Sequence, residues 1–214
     1  MGKLKAGIVP VTPFQQNCTI LFDEESRAGV VIDPGGDIAM VLDLLRQHRL
    51  EIGAIWITHG HIDHVGGAAE LKEALGVEIV GPHEADLPLM QNVERQAVQY
   101  GLAGTVRNVT PDRFLAEGDT VSFAGHQFEI FHCPGHSSGH IVYFNRKERF
   151  AHVGDVLFRG SVGRTDLPGG SHESLIAAIR DKLLPLGDDV SFICGHGPGS
   201  TFGVERRTNP FLAS

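Results

Sequence analysis

The stretch Thr58-His59-Gly60-His61-Ile62-Asp63-His64 constrains this chain more than any other. It directly follows Gly53-Ala-Ile-Trp-Ile-Thr58, a short apolar run that reads as a buried strand. In extended backbone, residues i and i+2 point the same way, so His59 and His61 can share one ion. Asp63 and His64 fall where the chain should turn into the next helix, and there they can face a second ion. Nitrogen and oxygen donors packed this densely crowd a single tetrahedral ion. They suit two ions about 3.5–4 Å apart.

Three further groups stand in matching places. His136 follows Phe131-His-Cys-Pro-Gly135, Asp155 follows Phe150-Ala-His-Val-Gly154, and His196 follows Phe192-Ile-Cys-Gly195. Each lies just past an expected strand and beside glycine, which lets backbone turn sharply and approach an ion closely. Donors on loops at the ends of strands, held by a rigid sheet, are a common way to build a site.

The rest of the chain alternates strand and helix patterns. Leu4–Val11, 17–22 and 29–33 read as strands, with Asp23–Arg27 as a hairpin loop. Asp37 is placed as the N-cap of a helix carrying Ile38, Val41, Leu42 and Leu45 on one face. A helix over 67–75, a strand over 77–81 and one longer helical stretch over 84–100 follow. Strands are expected at 120–123, 127–132, 141–145 and 150–153. The Gly-rich loop 160–170, a helix with Leu175, Ile176, Ile179 and Leu183 on one face, and a strand over 190–194 complete the pattern. No linker separates the two halves, so residues 1–214 read as one α/β (α+β) domain with helices packed outside a mostly β core.

His59-Gly-His61-Ile-Asp63-His64 with His136, Asp155 and His196 downstream resembles the metallo-β-lactamase superfamily. That resemblance spans nearly the whole chain and implies a four-layer αββα sandwich with metals at one edge. By the family's pattern His59, His61 and His136 match the ligands of one ion. Asp63, His64 and His196 match those of a second, and Asp155 matches the bridging carboxylate. Cys133-Pro-Gly-His-Ser-Ser-Gly-His140, Gly154-Asp-Val-Leu-Phe158, Gly163-Arg-Thr-Asp-Leu-Pro-Gly-Gly170 and Gly195-His-Gly-Pro-Gly-Ser-Thr201 are most similar to short glyoxalase II-like hydroxyacylglutathione hydrolases. Longer glyoxalase II enzymes carry a C-terminal helical extension with basic glutathione-binding residues. Eighteen residues follow His196 here, so the resemblance does not supply the groups that would hold glutathione.

The expected chemistry is hydrolysis of a glutathione-linked thioester such as S-lactoylglutathione, with two divalent ions as cofactors. Zinc comes first, and iron or manganese also suit an all-His/Asp donor set. Water held between two such ions ionises near neutral pH and attacks the thioester carbonyl. Asp63 and Asp155 are the catalytic candidates, Asp63 also as acceptor of the water's proton. The rival reading is a persulfide dioxygenase with one iron on residues matching His59, His136 and Asp155. Gly197-Pro198 after His196, where those dioxygenases tend to place Asp-Tyr, favours the hydrolase.

Arg164 and Asp166, in the Gly-rich loop, are candidates for substrate contact or for pinning that loop as a pair. His132 and Tyr143 are expected in packed positions; His140 and His152, close to ligands in sequence, are candidates for orienting them, and His83 is a lesser candidate for lining the pocket mouth. His48, His126 and His172 are expected at the surface. A net charge of −8 offers no basic patch for nucleic acid. No run approaches the ~18 apolar residues of a membrane span, and the N-terminus leads into no signal-peptide core, so a cytoplasmic protein is expected. Cys18, Cys133 and Cys194 lie in apolar runs and read as buried thiols rather than a disulfide framework. Oligomeric state has no readable sign.

Overall fold

The computed structural model describes residues 2–101 and 106–212. The chain runs β1 (Leu4–Val11), β2 (Gln16–Asp23), β3 (Ala28–Ile32), α1 (Ile38–Gln47), β4 (Glu51–Trp56), α2 (Ile62–Val65), α3 (Ala68–Leu75) and β5 (Glu78–Val80). It continues through α4 (Leu87–Met90), α5 (Val93–Gln99), β6 (Thr120–Phe123), β7 (His126–His132), β8 (Ile141–Asn145) and β9 (Phe150–His152). A short hairpin of β10 (Leu157–Phe158) and β11 (Ser161–Val162), then α6 (His172–Ala178), β12 (Ser191–Ile193), β13 (Ser200–Thr201) and α7 (Phe202–Thr208) follow.

Two sheets carry the fold. One is ordered β1-β2-β3-β4-β5 and the other β13-β12-β9-β8-β7-β6. Strand alternation sorts their side chains into three cores. Val30 and Ile32 of β3 face Phe128, Ile130, Ile141 and Tyr143 of the other sheet, forming the core between the sheets. Val31 points the other way, into a core with Ile38, Val41 and Leu45 of α1 and Leu71 of α3. Val142 and Phe144 of β8 likewise turn outward to Leu175 and Ala178 of α6 and Phe202 of α7. The result is the four-layer αββα sandwich. Trp56 stacks on Tyr143 at 5.0 Å, and the Tyr143 hydroxyl donates to Ile57 O at 2.8 Å, joining the two sheets.

Some expected elements differ. The helical stretch over 84–100 breaks into a 3-10 turn (Glu84–Asp86), α4 and α5. The Glu94 N–H, which a continuous helix would give to Met90 O, goes to Asn108 Oδ1 at 3.1 Å, and Met90 O takes Val109 N–H instead. Asp37 does precede α1, but its backbone is left-handed and its carboxylate accepts from Thr12 N–H at 2.6 Å rather than capping the helix. The Gly-rich loop contains β11, and β10, β13 and α7 were too short or too irregular in pattern to be expected. His126 is not at the surface. It is 2% exposed and faces Asp23 at 2.9 Å, because the tight turn at Ala124-Gly125 folds β7 back on β6 and the packing of the two sheets brings Asp23, the last residue of β2, to it.

The three thiols are free and buried, and burial pushes Cys133 up to about 12 and Cys194 to about 11. Among the described residues, no helix is long and apolar enough to cross a membrane.

Candidate active site

The loops that carry the candidate donors meet at one edge. β9 and β12 are parallel, and β7 and β9 each run antiparallel to the β8 between them. The turns after β7, β9 and β12, with His136, Asp155 and His196, therefore emerge at the same end of their sheet. Ile141 N–H donates to Thr58 O at 2.8 Å and brings in the end of β4, from which His59 and His61 lead into α2. Asn17 N–H donates to Gly195 O at 2.7 Å and closes the site from β2.

His59, His61 and His136 converge as one trio and Asp63, His64 and His196 as another, each with donor atoms within 4.8 Å of one another. His61 Nδ1 lies 2.9 Å from His136 Nε2. Asp63 Oδ2 lies 3.1 Å from His196 Nε2 and 3.7 Å from His64 Nε2. Asp155 stands between the trios, with Oδ2 at 3.5 Å from His136 Nε2 and 3.6 Å from His196 Nε2, and Oδ1 at 3.4 Å from His64 Nε2. Gly195 allows this close approach, since a Cβ there would run into Asp155 Oδ1.

Each imidazole but one is turned by a partner on Nδ1. His136 faces Arg164 O at 2.8 Å, His196 faces Phe14 O at 3.2 Å, His64 faces Asp33 Oδ2 at 2.9 Å, and His59 faces Thr58 Oγ1 at 3.0 Å. Those four rings offer Nε2 to the centre. His61 is the exception and offers Nδ1. Such partners fix the tautomer and orientation of metal-binding imidazoles. His140 orients Asp155 by accepting its backbone N–H on Nε2 at 2.9 Å, and stacks on His59 at 4.6 Å. His152 instead reaches Thr19 Oγ1 at 3.1 Å and makes no hydrogen bond to a candidate ligand.

Two buried carboxylates that sequence patterns did not single out hold the frame. Asp33, ending the apolar β3 strand, accepts from Thr58 N at 2.7 Å and from Thr58 Oγ1 at 2.6 Å. Asp86 accepts from Gly60 N–H at 2.8 Å, from Ser137 Oγ at 2.7 Å and from Gly139 N–H, tying the His59–His61 loop to the His136 loop. For Asp33 the available signal was an acid interrupting an apolar run just before Pro34-Gly35-Gly36. Asp86 had none.

Charge is divided unevenly. Burial, then the His64 imidazole, holds His59 well below the ordinary histidine range, and burial with His136 beside it takes His61 down to about 4. Both therefore offer neutral lone pairs. Burial would lower His64 too, but Asp155, Asp63 and Asp33 outweigh it and hold the ring well above that range. Burial would raise Asp155, yet His64, His136 and His196 keep it far below the usual carboxylate range.

His59 Nε2, His64 Nε2 and Asp155 Oδ1 are buried without a hydrogen-bond partner. An unmet buried polar atom costs about 1–3 kcal/mol, and these three belong to the groups whose donor atoms converge, which fits cations held there. The neutral imidazoles of His59 and His61 beside the anionic Asp63 and Asp155 are donors that suit a divalent ion.

A cavity of about 900 Å³ opens in front of the donors, lined by His61, Asp63, His136, Asp155 and His196 together with α5 and the loop around Arg164. Arg164 lines it and grips Asp166 with two bonds of 2.8 and 2.7 Å, while Asp166 itself is not part of the lining. His83 also lies outside the lining, stacked on His132 at 4.2 Å, and His132 Nε2 bonds to Ser138 O. His48 and His172 are exposed.

The sequence pattern of the metallo-β-lactamase superfamily matches residues 11–196, which include every converging donor. The chain belongs to the metallo-β-lactamase superfamily. Within that superfamily it is 46% identical over 208 residues to hydroxyacylglutathione hydrolase GloC of Haemophilus influenzae, covering 97% of each chain. It superposes on BLEG-1, a B3 metallo-β-lactamase, with a TM-score of 0.90 at 32% identity, covering 98% of this chain and 100% of that one. The di-iron-bound form of TTHA1623 gives a TM-score of 0.86 at 40% identity, covering 96% and 100%. The glyoxalase II-like resemblance of the motifs thus extends over nearly the full chain.

Proposed function

We propose that this metallo-β-lactamase superfamily member is a binuclear thioester hydrolase that cleaves S-lactoylglutathione and related S-2-hydroxyacylglutathiones to the hydroxy acid, D-lactate in the first case, and glutathione. The observation that carries the reading is Asp155 standing between two complete donor trios at the floor of a substrate-sized cleft. The 46% identity to a hydroxyacylglutathione hydrolase supports the choice of substrate.

On this reading His59, His61 and His136 would hold one divalent ion, Asp63, His64 and His196 the other, and Asp155 both. Zinc is the first choice, and iron or manganese suit the same donors. Ions held there supply a water that ionises near neutral pH and an electrophile for the thioester oxygen. The chain's own residues do the rest. Asp63, steadied by His196, takes the proton released as the water attacks. His140 keeps Asp155 in place through its backbone N–H. The departing thiolate is a good leaving group, so the cleft needs no dedicated acid.

The test is loss of thioester absorbance from S-lactoylglutathione with metal-loaded protein, beside a chelated control. Chelator-sensitive hydrolysis is expected. No turnover, together with oxygen uptake on glutathione persulfide, would contradict the reading and favour a mononuclear iron dioxygenase.

A further inference from the structure

One wall of the cleft is α5. Its residues Val93 and Ala97 are buried in the core between the helices and the first sheet. Asn92, Gln96 and Gln99, at positions i, i+4 and i+7, line the cavity instead. The Asn92 and Gln99 carboxamides make no hydrogen bond among the described residues. Gln96 reaches only Leu89 O, at 3.5 Å through Nε2, which leaves its oxygen free. Three side-chain amides, each able to donate and accept, thus line the space in front of the donors, Asn92 and Gln99 exposed and Gln96 half-buried, with Leu89 O the one partner of their side chains among the described residues.

The rest of the lining includes the apolar Phe158, Leu167 and Pro168. The lining contains no lysine, and its one arginine, Arg164, is already engaged by both carboxylate oxygens of Asp166. Apart from ions held by the donors, the one cationic side chain of the described lining that a substrate carboxylate would meet is Arg164, paired with Asp166, whereas an amide on the substrate meets a row of matching groups.

We infer that the carboxamide stripe of α5 reads the amide groups of the substrate's thiol arm, so that this site takes thioesters of amide-bearing thiols by hydrogen bonding and without pairing their terminal carboxylates. The inference rests on the thioester-hydrolase reading and narrows its substrate class to peptide-like thiols, charged or neutral. It also answers how a glutathione arm would be held with no cluster of basic residues in the cleft.

The experiment is calorimetric binding of S-hexylglutathione and of its diethyl ester to the metal-loaded protein. The two should bind within about threefold of each other, with little change on raising salt several-fold, because no ion pair is screened. The double substitution Asn92→Ala with Gln96→Ala should weaken both probes about tenfold, as loss of two neutral hydrogen bonds predicts. Asn92 precedes α5 without capping it through its side chain, and Gln96 is a half-buried position on α5 where alanine suits the helix, so the variant keeps its fold. Gln91→Ala, an exposed carboxamide outside the cavity, should bind both probes as the unaltered protein does. A tenfold loss on esterification, no binding of either probe, or unchanged binding by the double variant would overturn the inference. Carboxamide-dependent binding without S-lactoylglutathione hydrolysis would defeat the thioester reading alone. Hydrolysis with carboxylate-dependent binding would defeat this inference alone.

Discussion

Asp33 Oδ2 lies 2.9 Å from His64 Nδ1, and the same oxygen takes the Thr58 hydroxyl at 2.6 Å. Thr58 Oγ1 in turn lies 3.0 Å from His59 Nδ1. One buried carboxylate therefore orients an imidazole from each trio, one directly and one through a hydroxyl. Asp33→Asn removes an acceptor that these groups share. Metal affinity should fall about 10–100-fold, the usual cost of losing such a partner. Competition with a chromophoric chelator measures it, and unchanged affinity would show that the rings hold themselves.

Thr58→Val keeps the shape of the side chain and removes the hydroxyl between Asp33 and His59. A buried acceptor and a buried ring N–H then lose their partner. Unfolding free energy of the metal-free protein should drop by about 1–3 kcal/mol. Urea denaturation checks this, and a midpoint matching the unaltered protein would contradict it.

Asp86 joins the two loops that deliver His61 and His136, and burial, the largest influence on it, raises its pKa against the pull of its three donors. Asp86→Ala leaves those donors unmet, and a loss of about 2–4 kcal/mol is expected. Activity should fall with stability, because the two loops lose their shared anchor. A variant with intact stability and activity would mean the loops are set by the sheets alone.

Asp23 accepts backbone N–H groups from Ser26 at 2.8 Å and Glu25 at 3.1 Å, and faces His126. Those bonds, the Ser26 amide first, hold its carboxyl well below its ordinary value of 3.8. A carboxyl lowered in the folded state stabilises above its unfolded value and loses that contribution as pH falls through the folded one. Asp23→Asn should therefore cost most near neutral pH, and the gap in urea midpoint should narrow as pH drops below about 4. A gap that widens on acidification would reverse the assignment.

The candidate donors were legible as a group because they cluster locally or sit beside glycine at strand ends, and both patterns survive in one dimension. The four-layer sandwich came from the family resemblance that those residues carry, whereas the strand patterns alone gave helices outside a mostly β core, as in Val30, Val31 and Ile32, a strand buried on both faces. What escaped acts across the chain. Asp33 reaches 31 positions to His64, and Asp86 reaches 51 to Ser137. A single acid gives no periodic trace of such a partner. His126 was misplaced because its neighbours Ala124, Gly125 and Gln127 look like a surface turn, and only the fold brings Asp23 to it. The stretch 84–100 looked like one helix because its apolar spacing continues across the break that Asn108 makes.

The most direct test of a two-ion centre joined by one carboxylate is metal analysis of the purified protein and of Asp155→Ala after reconstitution and desalting. The account predicts about two ions per chain in the first and loss of both in the second, because Asp155 serves each trio. Retention of both ions by Asp155→Ala, or a single ion in the unaltered protein, would contradict it.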